Sequence, residues 1–283
     1  MILDPAAPVR STCRREKEAD MGLEYLVVCG TAVIVSGLTL FSGFGLGTVL
    51  MPVFALFFPI PLAVAATAVV HLANNLFKVF LVGRKADWQV VARFALPAAM
   101  AALLGAFLLT AFEQSSSLGS YSLGGRMHEV ALLKLIIGLL IIAFAFFELL
   151  PRFQNLSFDR RHLPLGGVLS GFFGGLSGHQ GALRSAFLIK SGLTKEAFIG
   201  TGTVSAVIVD VVRLGVYGAT FYTAKLGAVP KDLAGLLLGA TLAAFLGTFL
   251  GVRLMKKATL RTVQLIVGIM LIVIGVGMAA GLI

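Results

Sequence analysis

The sequence predicts an all-α, polytopic membrane protein built from two homologous repeats, with discontinuous helices where the repeats meet. Three observations predict this fold class: an apolar composition, charge-free segments of membrane-spanning length, and a glycine-rich motif that occurs twice. The 283 residues are 58% hydrophobic and 13% charged, whereas soluble domains are about 25% charged. Because apolar segments take up nearly the whole chain, we expect no soluble catalytic or regulatory domain.

Apolar segments supply the membrane helices. No Asp, Glu, Lys or Arg occurs in 25–77, 94–112, 233–252 or 262–283. A helix needs about 20 residues to cross the hydrocarbon core of a bilayer, so these segments are long enough to cross it. The predicted helices are Leu23–Phe41, Gly45–Phe58, Leu62–Val82, Arg93–Phe112, Val130–Leu150, Leu165–Leu176, Gly181–Lys190, Thr194–Tyr217, Leu233–Val252 and Thr262–Leu282.

Three of these helices are too short to cross, and they occupy matching places in the two halves. They are Gly45–Phe58 in the first half, and Leu165–Leu176 with Gly181–Lys190 in the second. Pro59 and Pro61 end the first of them, because proline lacks an amide donor. Short segments at corresponding positions of two halves are typical of discontinuous helices around a transport site.

One motif occurs twice, 135 residues apart: the segment from Ser42 to Gly47 (SGFGLG) returns as the segment from Ser177 to Ala182 (SGHQGA). Thirty-three residues after each serine, a small polar residue is followed three places later by a cation. These pairs are Asn75 with Lys78, and Asp210 with Arg213. The repetition predicts a duplicated membrane protein with a polar site where the halves meet.

The duplication divides the chain into four parts. Residues 1–22 form a polar N-terminal tail, and 23–150 form the first membrane repeat. Residues 151–163 form a basic connecting loop, and 164–283 form the second membrane repeat.

Basic loops predict the orientation of the repeats. The loops 84–93, 152–161 and 253–261 hold ten cations, against three in the loops 113–129 and 218–232. Cytoplasmic loops carry the excess of Lys and Arg, so the first three loops are expected in the cytoplasm. The second repeat is then inverted relative to the first, and both termini face outward. The alternative is a parallel duplication with both termini inside, which suits the basic tail but leaves the cations of 253–261 outside.

The net charge of +10 is explained by these loops, where cations orient the protein and meet anionic headgroups. Membrane lipid is therefore an expected partner, and nucleic acid is not.

Polar side chains form a stripe on the third predicted helix, about 80° wide at 100° per residue. Buried polar groups are costly in a membrane unless they are paired or hydrated, so we expect this stripe to line a substrate path. The alternative is hydrogen bonding between helices, with Lys78 reaching the interface. The stripe consists of Thr67, His71, Asn74, Asn75 and Lys78.

The corresponding stripe of the second half holds Thr203, Asp210 and Arg213. Asp210 and Arg213 can form a structural ion pair, or a substrate anion can compete for the arginine and release the aspartate to take a proton. Asp210 is therefore the first candidate for proton coupling. His71 and His179 are the alternatives, because imidazole titrates near neutral pH.

Each glycine-rich break is predicted to begin a short helix whose free amides face the middle of the membrane. Helix N-termini bind anions, and an arginine can bind an oxyanion through two parallel hydrogen bonds. The alternative for the glycines alone is tight packing or a hinge. The substrate-binding residues expected here are Ser42, Gly43, Gly45, Gly47, Thr48, Ser177, Gly178, His179, Gln180, Gly181 and Arg184. Those expected from the two stripes are His71, Asn74, Asn75, Lys78 and Arg213.

The chain lacks the usual motifs of enzymes and metal sites. It has no His-x-x-x-His pair, no nucleophile elbow and no Walker phosphate loop. We therefore expect no enzyme activity, no cofactor and no metal.

The residues from about 23 to 283 resemble the TauE/SafE sulfite-exporter family of bacterial permeases. The resemblance is carried by Ser42–Pro52, by the basic turn Gly83–Trp88, and by a second glycine-rich break at Gly171–Gly181. It implies a duplicated inner-membrane permease for small sulfur-containing anions such as sulfite or organosulfonates. The second half differs from the family, because His179-Gln180 and Arg184-Ser185-Ala186 stand where the family has glycines and a proline. The added side chains indicate altered selectivity.

Together these observations predict a multi-pass permease of the bacterial inner membrane that moves a small anion, coupled to protons. One alternative is an uncoupled anion channel, and another is a carrier of a different small organic anion. A third is a membrane-embedded enzyme or assembly subunit. The sequence leaves open the direction of transport and the formation of a homo-oligomer.

Overall fold

The structure is a computed structural model that describes residues 7–38, 45–113, 117–150, 156–223, 232–254 and 260–282. Within these ranges it contains ten α-helices and one β-hairpin. The helices of the first half are α1 (Ala7–Leu38), α2 (Leu46–Ala55), α3 (Ile60–Val82), α4 (Trp88–Glu113) and α5 (Leu132–Leu149). Those of the second half are α6 (Leu163–Ser177), α7 (Gly181–Leu188), α8 (Lys195–Thr223), α9 (Leu233–Leu254) and α10 (Leu260–Ala279).

The predominance of helix and the ten predicted helices are confirmed. In the described part of the chain, α3, α4, α8 and α9 are long and apolar enough to cross a membrane. Large apolar side chains on these helices point outward, among them Phe80 on α3 and Met100 on α4. The first helix begins at Ala7, inside the segment that the sequence assigns to a polar tail.

The β-hairpin is a feature that the predicted all-α class did not include. Its strands are β1 (Ser117–Leu123) and β2 (Arg126–Ala131), which pair antiparallel. Gly124 and Gly125 form the turn with φ of 60° and 78°, the left-handed conformation that tight hairpins need and glycine adopts readily. Tyr121 Oη donates to the Ala280 carbonyl oxygen at 2.7 Å, which ties the hairpin to the end of α10.

The helices of the two halves pack in exchanged pairs. The first helix of each half lies along the fourth helix of the other, so that α1 packs on α9 and α6 packs on α4. The third helices, α3 and α8, pack on each other, and so do the fifth helices, α5 and α10. Replacing each helix by its counterpart in the other half gives the same set of pairs. This is expected for repeats related by a two-fold axis.

Glycine permits the closest of these contacts. A Cβ atom on Gly105 of α4 would collide with the Phe172 carbonyl oxygen of α6. In the other half, a Cβ atom on Gly247 of α9 would collide with the Val33 carbonyl oxygen of α1. Small residues at such positions let membrane helices approach backbone to backbone. The two exchanged pairs are therefore tightly packed units on either side of α3 and α8.

The inverted orientation of the second repeat remains a prediction, and labelling of two loops tests it. Lys85 follows α3 and Asp232 precedes α9, and both are exposed. Inverted repeats place these equivalent loops on opposite sides of the membrane, whereas parallel repeats place them on the same side. Single cysteines are introduced as Lys85→Cys and Asp232→Cys, with Cys13 and Cys29 replaced. The two variants should therefore differ in how readily a thiol reagent labels them in intact cells. We expect an impermeant maleimide to label Asp232→Cys at once and Lys85→Cys only after permeabilisation; equal labelling would support the parallel arrangement.

Candidate functional site

The centre of the molecule contains a carboxylate surrounded by hydrogen-bond donors. Asp210 of α8 is fully buried. Its Oδ2 atom lies 2.6 Å from His71 Nδ1 of α3, and its Oδ1 atom accepts from Gln180 Nε2 at 3.0 Å. Arg213, one turn further along α8, donates to the same Oδ1 through Nε at 3.0 Å and completes an ion pair at 2.8 Å. The network therefore joins α3, α8 and the start of α7.

Residues at equivalent positions of the two repeats meet in this network. Asn75 and Asp210 are 135 positions apart, and Asn75 Nδ2 donates to Asp210 Oδ2 at 3.4 Å. Arg213 Nη1 also donates to the Gly174 carbonyl oxygen of α6 at 3.1 Å. The predicted polar site thus lies between the halves, where α3 and α8 pack together.

Two further cations are buried, Arg184 in contact with Gln180 of the network and Lys78 on α3. Arg184 of α7 donates to Gln180 Oε1 at 3.2 Å, and Gln180 in turn donates to Asp210. Lys78 of α3 lies close enough to Arg184 for the two charges to repel each other. Among the described residues, Lys78, Arg184 and Arg213 are the buried lysine and arginines, and Asp210 is the buried carboxylate. The site therefore carries an excess of positive charge.

The two glycine-rich breaks meet at this site. A Cβ atom on Gly47 of α2 would lie 3.3 Å from the Gly178 carbonyl oxygen and 3.5 Å from His71 Cδ2. Gly178 ends α6 with φ of 81°, and Gly45 precedes α2 with φ of 125°. Both torsions lie in the region where residues with a Cβ atom are strained. Glycine is needed here for the sharp breaks and for the close approach of the two backbones.

Two short helices begin at these breaks without a side-chain cap. Neither Gly45 before α2 nor Gln180 before α7 provides a capping hydrogen bond. The first amides of a helix have no carbonyl partner within it, and together they carry a partial positive charge. In α2 the first such intrahelical bond is made by Val49 to the Gly45 carbonyl oxygen. The two starts add amide donors to an already positive region.

Several buried polar atoms near the site have no hydrogen-bond partner among the described residues. Asn74 Oδ1 accepts from Thr248 Oγ1 at 2.8 Å, but Asn74 Nδ2 is unpaired. The His179 ring stacks on Phe144 at 5.2 Å between centroids, and its Nε2 atom is unpaired. The Thr67 hydroxyl is unpaired as well. Buried polar atoms normally have partners, so these atoms indicate a ligand or water.

The structure connects six of the seventeen predicted site residues by hydrogen bonds. One connected network contains His71, Asn75, Gln180, Arg184, Asp210 and Arg213. Ser42 and Gly43 lie outside the described residues. Thr48 and Gly181 are buried in the first turns of α2 and α7. The Ser177 hydroxyl donates to the Phe173 carbonyl oxygen at 3.0 Å within α6.

Three polar residues that support the site were missed in the sequence. Ser170 donates to the Gln180 carbonyl oxygen at 2.9 Å, and Tyr217 donates to the Gly175 carbonyl oxygen. Thr248 is the third, through its bond to Asn74. The available signal was a hydroxyl group inside an otherwise apolar helix. Among the described residues, no group of three His, Cys, Asp or Glu side chains is placed to hold a metal ion.

The fold and the site define a class of protein: a multi-pass membrane protein with two matching halves and a buried, positively charged site between them. The family model described as Sulfite exporter TauE/SafE matches residues 28–278, so the chain belongs to this family. Members of the family are transporters, which identifies a multi-pass protein of the bacterial inner membrane that exports sulfite or another anion. Comparisons with curated proteins and with solved structures gave no match.

Proposed function

We propose that the protein carries a small sulfur-containing oxyanion, such as sulfite or an organosulfonate, between the two repeats, and that proton movement drives the transport. The observation that carries this proposal is the excess of buried positive charge. Among the described residues, three cations are buried, Lys78, Arg184 and Arg213, against one buried carboxylate, Asp210. A charge inside a membrane is costly unless it is paired or hydrated. A bound anion would compensate the excess.

The donors around the site suit an oxyanion. The starts of α2 and α7 offer backbone amides, and the glycines at the breaks let a ligand approach them closely. Asn74 Nδ2 has no other partner among the described residues and can donate to an oxygen. An arginine such as Arg184 matches the spacing of two oxygens on one sulfur or carbon atom. Several oxygens of one tetrahedral anion can thus be bound at once.

Proton coupling is assigned to the His71–Asp210 pair. Asp210 accepts from Arg213 and from His71. A substrate anion that binds Arg213 weakens the ion pair between Arg213 and Asp210. Asp210, or the His71–Asp210 pair, can then take a proton. The network spans α3 of one repeat and α8 of the other, so its charge state can favour one packing of the halves over another. Such a link between protonation and packing is what an alternating-access carrier needs.

Transport by the purified protein tests this function. In proteoliposomes we expect sulfite flux that saturates with concentration and that stops when a protonophore collapses an imposed proton gradient. A saturable carrier binds its substrate at a limited number of sites, and the gradient supplies the driving force. Flux that persists unchanged without the gradient would identify an uncoupled channel. No flux of sulfite, thiosulfate, sulfonates or carboxylates would contradict the proposal and favour a membrane subunit of another assembly.

A further inference from the structure

His179 has one nitrogen whose hydrogen-bonding role is fixed by its surroundings. The Nδ1 atom lies 3.0 Å from the Ser177 carbonyl oxygen and 3.2 Å from Ser177 Oγ. The carbonyl oxygen can only accept. Ser177 Oγ already uses its proton in the bond to the Phe173 carbonyl oxygen, so it too presents a lone pair. Nδ1 must therefore carry a hydrogen, which makes Nε2 of the neutral ring an acceptor.

That acceptor is buried and has no partner. His179 is 1% exposed, and Nε2 makes no hydrogen bond within the described residues. The ring stacks on Phe144 with planes 17° apart, and the Ser177 contacts hold its other edge, so the ring orientation is set. The two nitrogens face opposite sides of the ring, and the Nε2 lone pair points away from Ser177. Burying an acceptor without a donor is costly.

His179 lies in the chain next to groups that bind negative oxygens. It lies one residue after Gly178, where the two glycine breaks meet, and one residue before Gln180 of the Asp210 network. Arg213 is within Coulombic range of its ring. The cations, amides and Asn74 Nδ2 of the site would donate to the oxygens of any small anion. His179 Nε2 is an acceptor, so a ligand that bonds to it must carry a hydrogen-bond donor as well.

We propose that His179 Nε2 is the subsite for the protonated oxygen of the transported anion, so that the bound form is a singly protonated oxyanion and not its fully deprotonated form. The inference rests on the proposed function and narrows its substrate class to anions that keep an O–H group, such as hydrogensulfite, which excludes organosulfonates because they are fully deprotonated in water. A buried group built to hydrogen-bond one substrate atom discriminates strongly against analogues that lack that atom. The hydrogen-bearing oxygen donates to His179, and the remaining oxygens face the cations and amides.

Two anions of matched shape and charge test this subsite. At a pH where methylphosphonate carries one proton, it and methanesulfonate are both tetrahedral monoanions with one methyl group. Only methylphosphonate has an O–H donor. With the purified wild-type protein we expect methylphosphonate to bind at least about tenfold more tightly than methanesulfonate in titration calorimetry. Sulfite should likewise lose affinity as the pH rises and hydrogensulfite becomes sulfite.

The variant His179→Phe keeps a ring to stack on Phe144 and removes the acceptor. We expect the preference for methylphosphonate over methanesulfonate to fall to about one, because the O–H group of methylphosphonate no longer has an acceptor. The matched control is His128→Phe, because His128 also stacks on an aromatic ring, that of Tyr121, but in the hairpin; its preference should equal that of the wild type. If His179→Phe does not fold, the ratio of the methylphosphonate and methanesulfonate affinities of the wild-type protein tests the proposal by itself.

The outcomes separate the inference from the proposed function. A wild-type protein that binds sulfite but does not prefer methylphosphonate to methanesulfonate would overturn the inference and leave the proposed function standing. A preference that persists in folded His179→Phe would overturn it as well. Failure of sulfite and of both probes to bind the folded wild-type protein would contradict the proposed function itself.

Discussion

Replacing Arg184 with alanine is expected to weaken anion binding by roughly a hundredfold or more and to stop transport. Removing one partner of a buried, hydrogen-bonded charge pair costs about 2–5 kcal/mol. Arg184 is 5% exposed and lies in the first turn of α7. Its loss removes one of the three buried cations and the donor to Gln180 Oε1. Titration of sulfite into the purified variant measures the effect.

Lys134→Ala provides the control for this substitution. Lys134 is a cation of an apolar helix too, but it is only half-buried, near the start of α5, where its side chain can reach the interface. Its replacement should leave the dissociation constant within about twofold. Equal, mild effects of both substitutions would show that Arg184 does not bind the anion. The proposal that buried positive charge binds the substrate would then lose much of its support.

Replacing Asp210 with asparagine is expected to separate binding from coupling. The amide keeps the shape of the side chain but cannot take a proton, and it no longer balances the charge of Arg213. Anion binding should therefore persist or tighten, because the substrate becomes the counter-charge. Uphill transport driven by the proton gradient should fail, whereas exchange of substrate across the membrane needs no net proton movement and should continue. Both are measured in proteoliposomes loaded with unlabelled sulfite.

The same substitution has a large expected effect on stability. Arg213 is fully buried and pairs with Asp210 at 2.8 Å, and breaking such a pair by removing one partner costs about 3–5 kcal/mol. The unfolding temperature of Asp210→Asn should fall, and added anion should raise it more than it raises that of the wild type. Asp232→Asn, at the exposed start of α9, is the control and should behave like the wild type.

An Asp210→Asn protein that still concentrates substrate against a gradient would contradict the coupling role. Asp210 would then be a structural partner for Arg213, and the proton would be carried elsewhere. His71, which contacts Asp210 at 2.6 Å, is the next residue to replace, followed by His179.

Local patterns in the sequence predicted most of the helices. Apolar length and charge-free runs located α3, α4, α8 and α9, because a bilayer demands about 20 apolar residues per crossing. The repeated motif located the breaks before α2 and α7, where glycine is required by positive φ at Gly45 and Gly178. The hairpin was missed because its strands are short and polar, although Gly124-Gly125 is a recognised turn signal.

Spacing alone also selected the polar residues of the site. The 135-residue offset paired Asn75 with Asp210, and the two are in contact. The sequence could not show which of these residues contact each other, because His71 and Asp210 are 139 residues apart and no local pattern predicts that α3 packs on α8. The same holds for Thr248, whose partner Asn74 lies 174 residues away.

The sequence by itself therefore determined the class of protein and predicted the duplication and the candidate residues of the site, because hydropathy, glycine content and charge can be read from each segment locally. Only the tertiary structure decided how those residues are used. It packed the first helix of each half on the fourth helix of the other, joined Asp210 to Arg213, His71 and Gln180, and placed the Nδ1 atom of His179 against two acceptors. These arrangements depend on contacts between distant segments, whose geometry follows from packing the whole chain and not from any one part of it.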